Sequence, residues 1–450
     1  MGNKAIILVA GLFVIFLSIG ARLFRITSSA YLKYVEYISY QQATLAAESA
    51  ANIAISNARI TPNAPLNVSN ARIYSDPDNK KEEIDCFISM DKQIFPDSFF
   101  ITAVSDYNDF RCTTKVKMSR PSFANYAMYT EIMKLDDGKT PIYWRTGDTC
   151  RGPLHTQDYL YVSGRPVFIG KVTTKMGVIK ENTTDAPVFM NGCYTGVDND
   201  LPEDLSEVKS VGEAGGAVYN GVATYIQFLA DGRIVVRLGS NGWNENRVDK
   251  TEPITGKPYC KYYKDVAELT KSGVVLVKNA EVHVKGVLNG RITIGALGTG
   301  SKVWIDSSLV YQTSPIKEDG SKNSDCDDML GIVADNGIRI SEGAENNGSK
   351  PKGVTIHAAL FSKNDGFGAY NYDTRPVGGT LKVVGGIHTK KRVPVGTFVG
   401  GTTTHGFQKD YWFDERMKEN PPIAYPRFNY YTITNWYDQT EFPDEFWAWF

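Results

Sequence analysis

Residues Ala5 to Ala21 read AIILVAGLFVIFLSIGA, seventeen positions without a charge, followed at once by Arg22 and Arg25. The pattern does not stop there. SSAYLKYVEYISYQQATLAAESAANIAISNARI continues to Thr61-Pro62, and from Ala5 to Ile60 there is no proline and only two glycines, Gly11 and Gly20. Alanine and other helix formers dominate. The stretch predicts one continuous helix, about 84 Å long at 1.5 Å per residue. Its first third is apolar all round. Its second part is amphipathic, with Tyr31, Val35, Ile38, Leu45 and Ile53 recurring at roughly heptad spacing beside alanines.

Three readings fit this stalk. A cleaved secretory signal would use the charge at Lys4, the apolar run and a small-residue site at Ser18-Ile19-Gly20. A signal anchor would use the run to cross a bilayer, for which seventeen residues is the lower limit. In a pilin-type stalk, the helix is a membrane anchor before assembly and a packing element within a filament afterwards. Only the last accounts for forty further helical residues, although a stalk or coiled coil on a plain anchor would also use them. If the run enters a bilayer, Ala5, Leu8, Leu12, Val14, Phe16 and Ala21 are among the residues of the membrane helix.

The segments GNKAIILV (2–9) and ATLAAESAA (43–51) carry a resemblance. The first resembles the start of PilX-type minor pilins and K-type pseudopilins of type II secretion: a short basic leader, a glycine, an apolar run. The second resembles the alanine-rich close of their N-terminal helix. The resemblance implies cleavage by a prepilin peptidase between Gly2 and Asn3. It also implies packing against other pilin or pseudopilin subunits and residence in the inner membrane before assembly. The leader is only Met1-Gly2, and the fifth residue after the cut is Ile7, where major pilins carry glutamate. K-type pseudopilins lack that glutamate too, and they sit at filament tips.

The chain has 450 residues, enough for a stalk and one or two globular parts. Its 49 basic and 50 acidic residues leave a net charge of −1 without a basic stripe, which argues against a nucleic-acid partner. The chain's 41 Gly, 25 Tyr and 21 Phe, beside few alanines after residue 60, suggest an exported all-β protein, its head periplasmic or extracellular and at the cell surface if assembled. Six cysteines lie outside the stalk; export permits disulfides, and proximity suggests Cys86–Cys112 and Cys150–Cys193, with buried free thiols as the alternative.

The expected fold is mainly β with a long N-terminal α-helix. Residues 1–61 form the membrane or filament helix. Residues 62–120 form a small antiparallel sheet of segments such as EIDCFISM, whose Ile84, Cys86, Ile88 and Met90 alternate. Residues 121–450 form a parallel β-helix-like (solenoid) head, with 121–135 as a bridge into it. Short apolar strands with a glycine or asparagine at each corner, as in LYVSGRPVFIGKV (160–172), VVLVKNAEVHVKGVLNGRITI (274–294) and GTLKVVGGIHTKKRVPVGTF (379–398), suit such coils. An insertion spans about 198–260, with a hairpin across Ala230-Asp231-Gly232, and an aromatic C-terminal segment containing Trp436, Trp447 and Trp449 is expected as a cap. A β-sandwich also fits, because no exact period emerges. Segments 146–174 and 405–426, among others, are similar to an uncharacterised bacterial family that joins a PilX-like helix to a β-helix-like region; that resemblance implies architecture and export, not chemistry.

Chemical candidates are few. His155, near Gln157 and Asp158, suits a base with an orienting partner, or a coil corner. Asp325, Asp327 and Asp328 suit glycoside hydrolysis or a cation, or plain solvated charge. Asp198, Asn199, Asp200, Glu203 and Asp204 offer oxygen ligands for Ca²⁺ without EF-hand spacing. His357 and His388 fit ladder positions. Lys390, Lys391 and Arg392 suit an anionic surface glycan or an exposed turn. The glycosylation sequons at Asn67, Asn182 and Asn347 carry little weight if the source is bacterial. No enzyme-grade motif occurs. The expectation is therefore no catalytic, cofactor-binding or metal-binding residue and no cofactor. The leading reading is a structural minor pilin or pseudopilin. The alternative is a membrane-tethered β-helix protein that binds or cleaves polysaccharide, recognisable by a groove of converging carboxylates.

Overall fold

In the computed structural model, residues 2–60, 70–75, 83–90, 97–202, 204–343, 345–346, 353–399 and 402–441 are described. Glu203, Asn67, Asn347, Trp447 and Trp449 lie outside them. The chain forms a long N-terminal helix followed by a mostly β structure, in two units: residues 1–121 with 429–450, and residues 122–428.

In the first unit a single helix runs Gly2–Ile60, 59 residues. Ala43, Ala46, Ala47, Ala50, Ala51, Ala54, Ile55 and Ala58 are buried, a stripe with alternating steps of three and one. Methyl side chains let the helix lie close to a five-stranded antiparallel sheet. Four strands are consecutive: β1 (Asn70–Ser75), β2 (Glu83–Met90), β3 (Ser98–Tyr107) and β4 (Phe110–Ser119). Alternation sends Ile84, Ile88, Phe99, Ile101, Ala103, Val116 and Met118 into a core shared with the alanine stripe. A two-residue turn joins β3 to β4, with Asn108 and Asp109 both at positive φ, as the twist of a tight hairpin requires. Ser105 adds a hydrogen bond from its hydroxyl to the Ala43 carbonyl at 2.5 Å.

The fifth strand corrects an expectation. Thr432–Glu441, read from sequence as part of a cap on the coils, pairs antiparallel with β4 from Thr432↔Ser119 to Glu441↔Arg111. Trp436 packs against the small sheet's core.

The second unit is a stack of parallel strands, β-helix-like, and the stack does not follow chain order. It starts at Ala217–Asn220 and Thr224–Phe228, which pair parallel with Val274–Lys278 and Val282–Leu288. It climbs coil by coil to Val377–Lys391 and Thr402–Phe413. There it continues onto the N-terminal part: Met128–Ile132 pairs with Val377–Lys391, and Thr149–Arg151 with Thr402–Phe413. The strands of 154–195 complete it. The expected bridge 121–135 is thus partly a coil strand inside the stack, and part of the expected insertion, 217–228, belongs to the stack as well. The hairpin across Ala230-Asp231-Gly232 forms between Thr224–Phe228 and Ile234–Leu238, and Cys260–Tyr263 extends it. The helix Ser206–Gly215 packs near Val274 and Leu276, with Val208 buried. Val, Ile, Leu and Ala fill the interior from Tyr219 to Phe407.

Candidate functional site

The stalk is the first site. Ile6, Leu8, Leu12, Val14 and Phe16 are all exposed, and an 18-residue window of mean hydropathy 2.5 contains no buried residue. Among the described residues this is the one helix long and apolar enough to cross a membrane. Exposure continues past Arg22 and Arg25 through Tyr31, Leu32, Tyr34, Val35, Tyr37 and Ile38; from Ser39, which is buried and accepts from the Asn108 side-chain amide at 3.1 Å, one face of the helix is covered while the other stays exposed. Ala5 and Ala21 lie in the exposed part, and Gly2 and Asn3 are helical. Apolar surface on this scale is a large cost in water and marks a surface that binds something.

The disulfide pairs are not formed; no disulfide joins any of the six cysteines, all of which lie among the described residues. Cys86 and Cys112 each face Ser105, from opposite sides of β3. Two strand spacings, about 9.6 Å, separate them, beyond the reach of a disulfide. Cys150 pairs with Phe168 in one ladder and Cys193 with Val172 in another. Proximity in sequence misled because Cys86 and Cys112 fall on next-nearest strands and Cys150 and Cys193 in different ladders. Burial raises the thiol of Cys150 to about 12.

The stack order brings together histidines that the sequence separates. His388, Tyr129 and His155 form one row, register partners in that order, with His155 stacked on Tyr129 at 5.3 Å. His155 Nδ1 lies 2.8 Å from Thr173 Oγ1, and its Nε2 faces Gln157 Oε1. The Gln157 amide donates to Asp198 and Asp200 at 2.8 and 2.7 Å, which also brace Lys175 through Asp198. The Tyr129 hydroxyl donates to the Asn199 carbonyl, and the Leu201 amide to Glu131 at 3.1 Å. Burial raises the Glu131 carboxyl above its usual range, whereas hydrogen bonds from Lys175 and Gln157 hold Asp198 below it. The result is a clasp that ties 198–201 to the coil. Its carboxylates are spent on protein donors, and Asp158 accepts instead from the Met133 and Tyr159 amides.

The remaining candidates disperse. Asp328 is buried and accepts from the Gly290 and Thr313 amides, while Asp325 and Asp327 are exposed. Asp204 accepts from the Ser206 amide at the start of its helix. Asn182 turns back to Asp185. Among the described residues no group of three or more His, Cys, Asp or Glu side chains could hold a metal ion. His357 Nδ1 accepts from the Tyr311 amide at 3.0 Å; His388 lies between the Tyr425 hydroxyl and the Tyr126 carbonyl. Burial depresses His155, His357 and His388 to about 4, so all three are neutral. The basic trio splits: Lys391 pairs with the exposed Asp136 at 3.0 Å, while Arg392 is buried with its guanidinium 4.3 Å from the centre of the Trp144 ring. Sequence reading missed Trp144 and Lys409 altogether; neither lies in a recognisable motif.

A family model described as a domain of unknown function (DUF4900) matches residues 105–176. No curated protein matches the chain. Among solved structures the chain is similar to the competence-associated pilin ComZ from Thermus thermophilus, at 12% identity and a TM-score of 0.35, over 90% of this chain and 98% of that one. Similarity at that level carries no role across.

Proposed function

We propose that the chain is a non-catalytic filament subunit of the minor-pilin or pseudopilin kind. Its stalk resides in the inner membrane before assembly and packs among other subunits' helices afterwards. The observation that supports this is the division of one unbroken helix: residues 4–38 are largely exposed and begin with the charge-free run Ala5–Ala21, and from Ser39 on one face is buried on the small sheet. A bilayer and a bundle of like helices both keep the exposed part out of water, so the same surface serves both stages. The β-rich part is then cargo, displayed outside the membrane for assembly or surface contact. A large head on every subunit would crowd a filament, which favours a minor or tip position. The dispersal of the carboxylates favours display over polysaccharide cleavage.

Val14→Arg tests the reading. A central arginine costs about 2.5–3.5 kcal/mol in insertion. The variant is expected to leave the membrane fraction and to be missing from sheared filaments. Retention in both would rule the anchor out. The mature chain is expected to begin at Asn3 by mass spectrometry; a start at Ala21 would establish a cleaved signal instead.

A further inference from the structure

The second unit contains a cavity of about 560 Å³, walled by residues 141–148, by 392–398 and by the strand reaching Tyr411. That volume suits a ligand of one or two sugar rings. Three cationic side chains line it, Arg145, Arg392 and Lys409, against one carboxylate, Asp148. Asp148 is already engaged: Oδ2 accepts from Lys409 Nζ and from the Arg145 amide, both at 3.0 Å.

Arg392 is the unusual member. It is 7% exposed, and neither Nη1 nor Nη2 has a hydrogen-bond partner among the described residues. Trp144 holds one side of the guanidinium by a cation–π contact. A buried cation without a paired anion is costly, and an arginine presents a fork that fits a carboxylate. Burial also lowers the affinity of Arg392 and Lys409 for their protons, and the nearby Asp148 charge opposes that shift in both. The remaining wall is not that of a simple anion hole. Tyr143, Tyr372 and Tyr411 offer aromatic rings, and Gln408 and Ser163 offer neutral donors and acceptors.

We propose that this cavity binds a carboxylate-bearing sugar, a hexuronate unit of an acidic polysaccharide. Lys409 and, after a small rotation, the Arg392 fork face the carboxylate; the tyrosine rings take the C–H faces; the amide and hydroxyl groups take the sugar hydroxyls. The inference concerns the second unit alone and stands or falls whether or not the stalk enters a filament.

The test is calorimetric titration of the full chain in detergent with galacturonate, galactose, acetate and inorganic phosphate. Galacturonate is expected to bind about tenfold or more tighter than the other three, since a charge-assisted bidentate contact is added to the sugar contacts. Arg392→Gln is expected to remove about tenfold of that affinity. Because Arg392 is buried, Arg145→Gln on the exposed rim is the second variant; it is expected to weaken galacturonate about threefold and leave galactose unchanged. Equal binding of galactose overturns the assignment. So does phosphate or acetate binding as tightly as galacturonate, which would mean an adventitious ion only. No galacturonate binding at about 20 mM, far weaker than a built site gives, also overturns it.

Discussion

The two units solve the same problem, burying a sheet, in opposite ways. In the first, four strands follow one another in sequence, each hairpinned or looped to the next, and a helix with an alanine stripe covers one face. In the second, strands pair in parallel with partners tens to hundreds of residues away, and the stack closes by laying Met128–Ile132 against Val377–Lys391. The first is held by local alternation plus one late strand. The second is held by ladders of like residues and by buried polar groups that only the finished stack can satisfy. Histidines make the contrast chemical: all five lie between 122 and 428 and none in the first unit.

Mild acid is therefore expected to separate the two units most strongly. His155, His357 and His388 bind protons near pH 4 when folded and near 6.5 when unfolded. Above pH 6.5 both states are neutral and nothing is lost. Between 6.5 and 4 the unfolded chain takes up protons that the folded chain refuses, so stability falls with pH; below 4 the loss saturates. At pH 5 this amounts to about 2 kcal/mol for each histidine, on the order of 6 in all. Hydrogen exchange at pH 7 and pH 5, corrected for intrinsic rates, reads it. Peptides from 122–428 are expected to lose protection, with those from the first unit as reference. Unchanged protection in 122–428 would break the contrast.

Gly286→Val attacks the ladder directly. Gly286 has φ +113° and sits opposite Phe228, where an added Cβ would run into the Phe228 carbonyl oxygen. Both the strained backbone and the clash with rigid main chain count, giving about 3 kcal/mol or more. The expected readout is a lower melting transition with lost protection in 217–311. A wild-type melting temperature would mean that the coils yield far more easily than their close packing suggests.

These two tests probe what the sequence made hard to read. The stalk was legible because a charge-free run and a 3.6-residue alanine period are local signals. So was β2, from Ile84, Cys86 and Ile88 alone. Coil texture was legible too, from short apolar strands ending in glycine. Stack order was not, because parallel ladders pair residues without a fixed spacing, and nothing near His155 or His388 announces that Tyr129 lies between them. Thr432–Glu441 was misassigned because an aromatic strand looks the same whichever sheet it joins. Arg392 resembled an exposed turn within a run of basic residues; its burial depends on Trp144, 248 positions earlier.

The smallest effect sharpens the comparison from the other side, within the helix. Ala50 is fully buried against the small sheet, and Leu45, five residues earlier and turned outward, is 57% exposed. Leu and Ala have similar helix propensities, so exchanging them changes packing and little else. Ala50→Leu forces three extra carbons between a helix and a sheet that approach closely only because the stripe is methyl groups. Its expected cost is about 1–3 kcal/mol in the first unit. Leu45→Ala removes as many carbons from a surface that no described residue covers, and is expected to change stability by less than about 0.5 kcal/mol. Thermal melts of the two variants measure the pair. If Leu45→Ala costs as much as Ala50→Leu, the exposed face is covered in the isolated chain. If both are silent, the alanine stripe is not what seats the helix. The expected asymmetry would leave the outward residues of this helix without a use in the monomer, as a surface kept for a membrane or for neighbouring stalks requires.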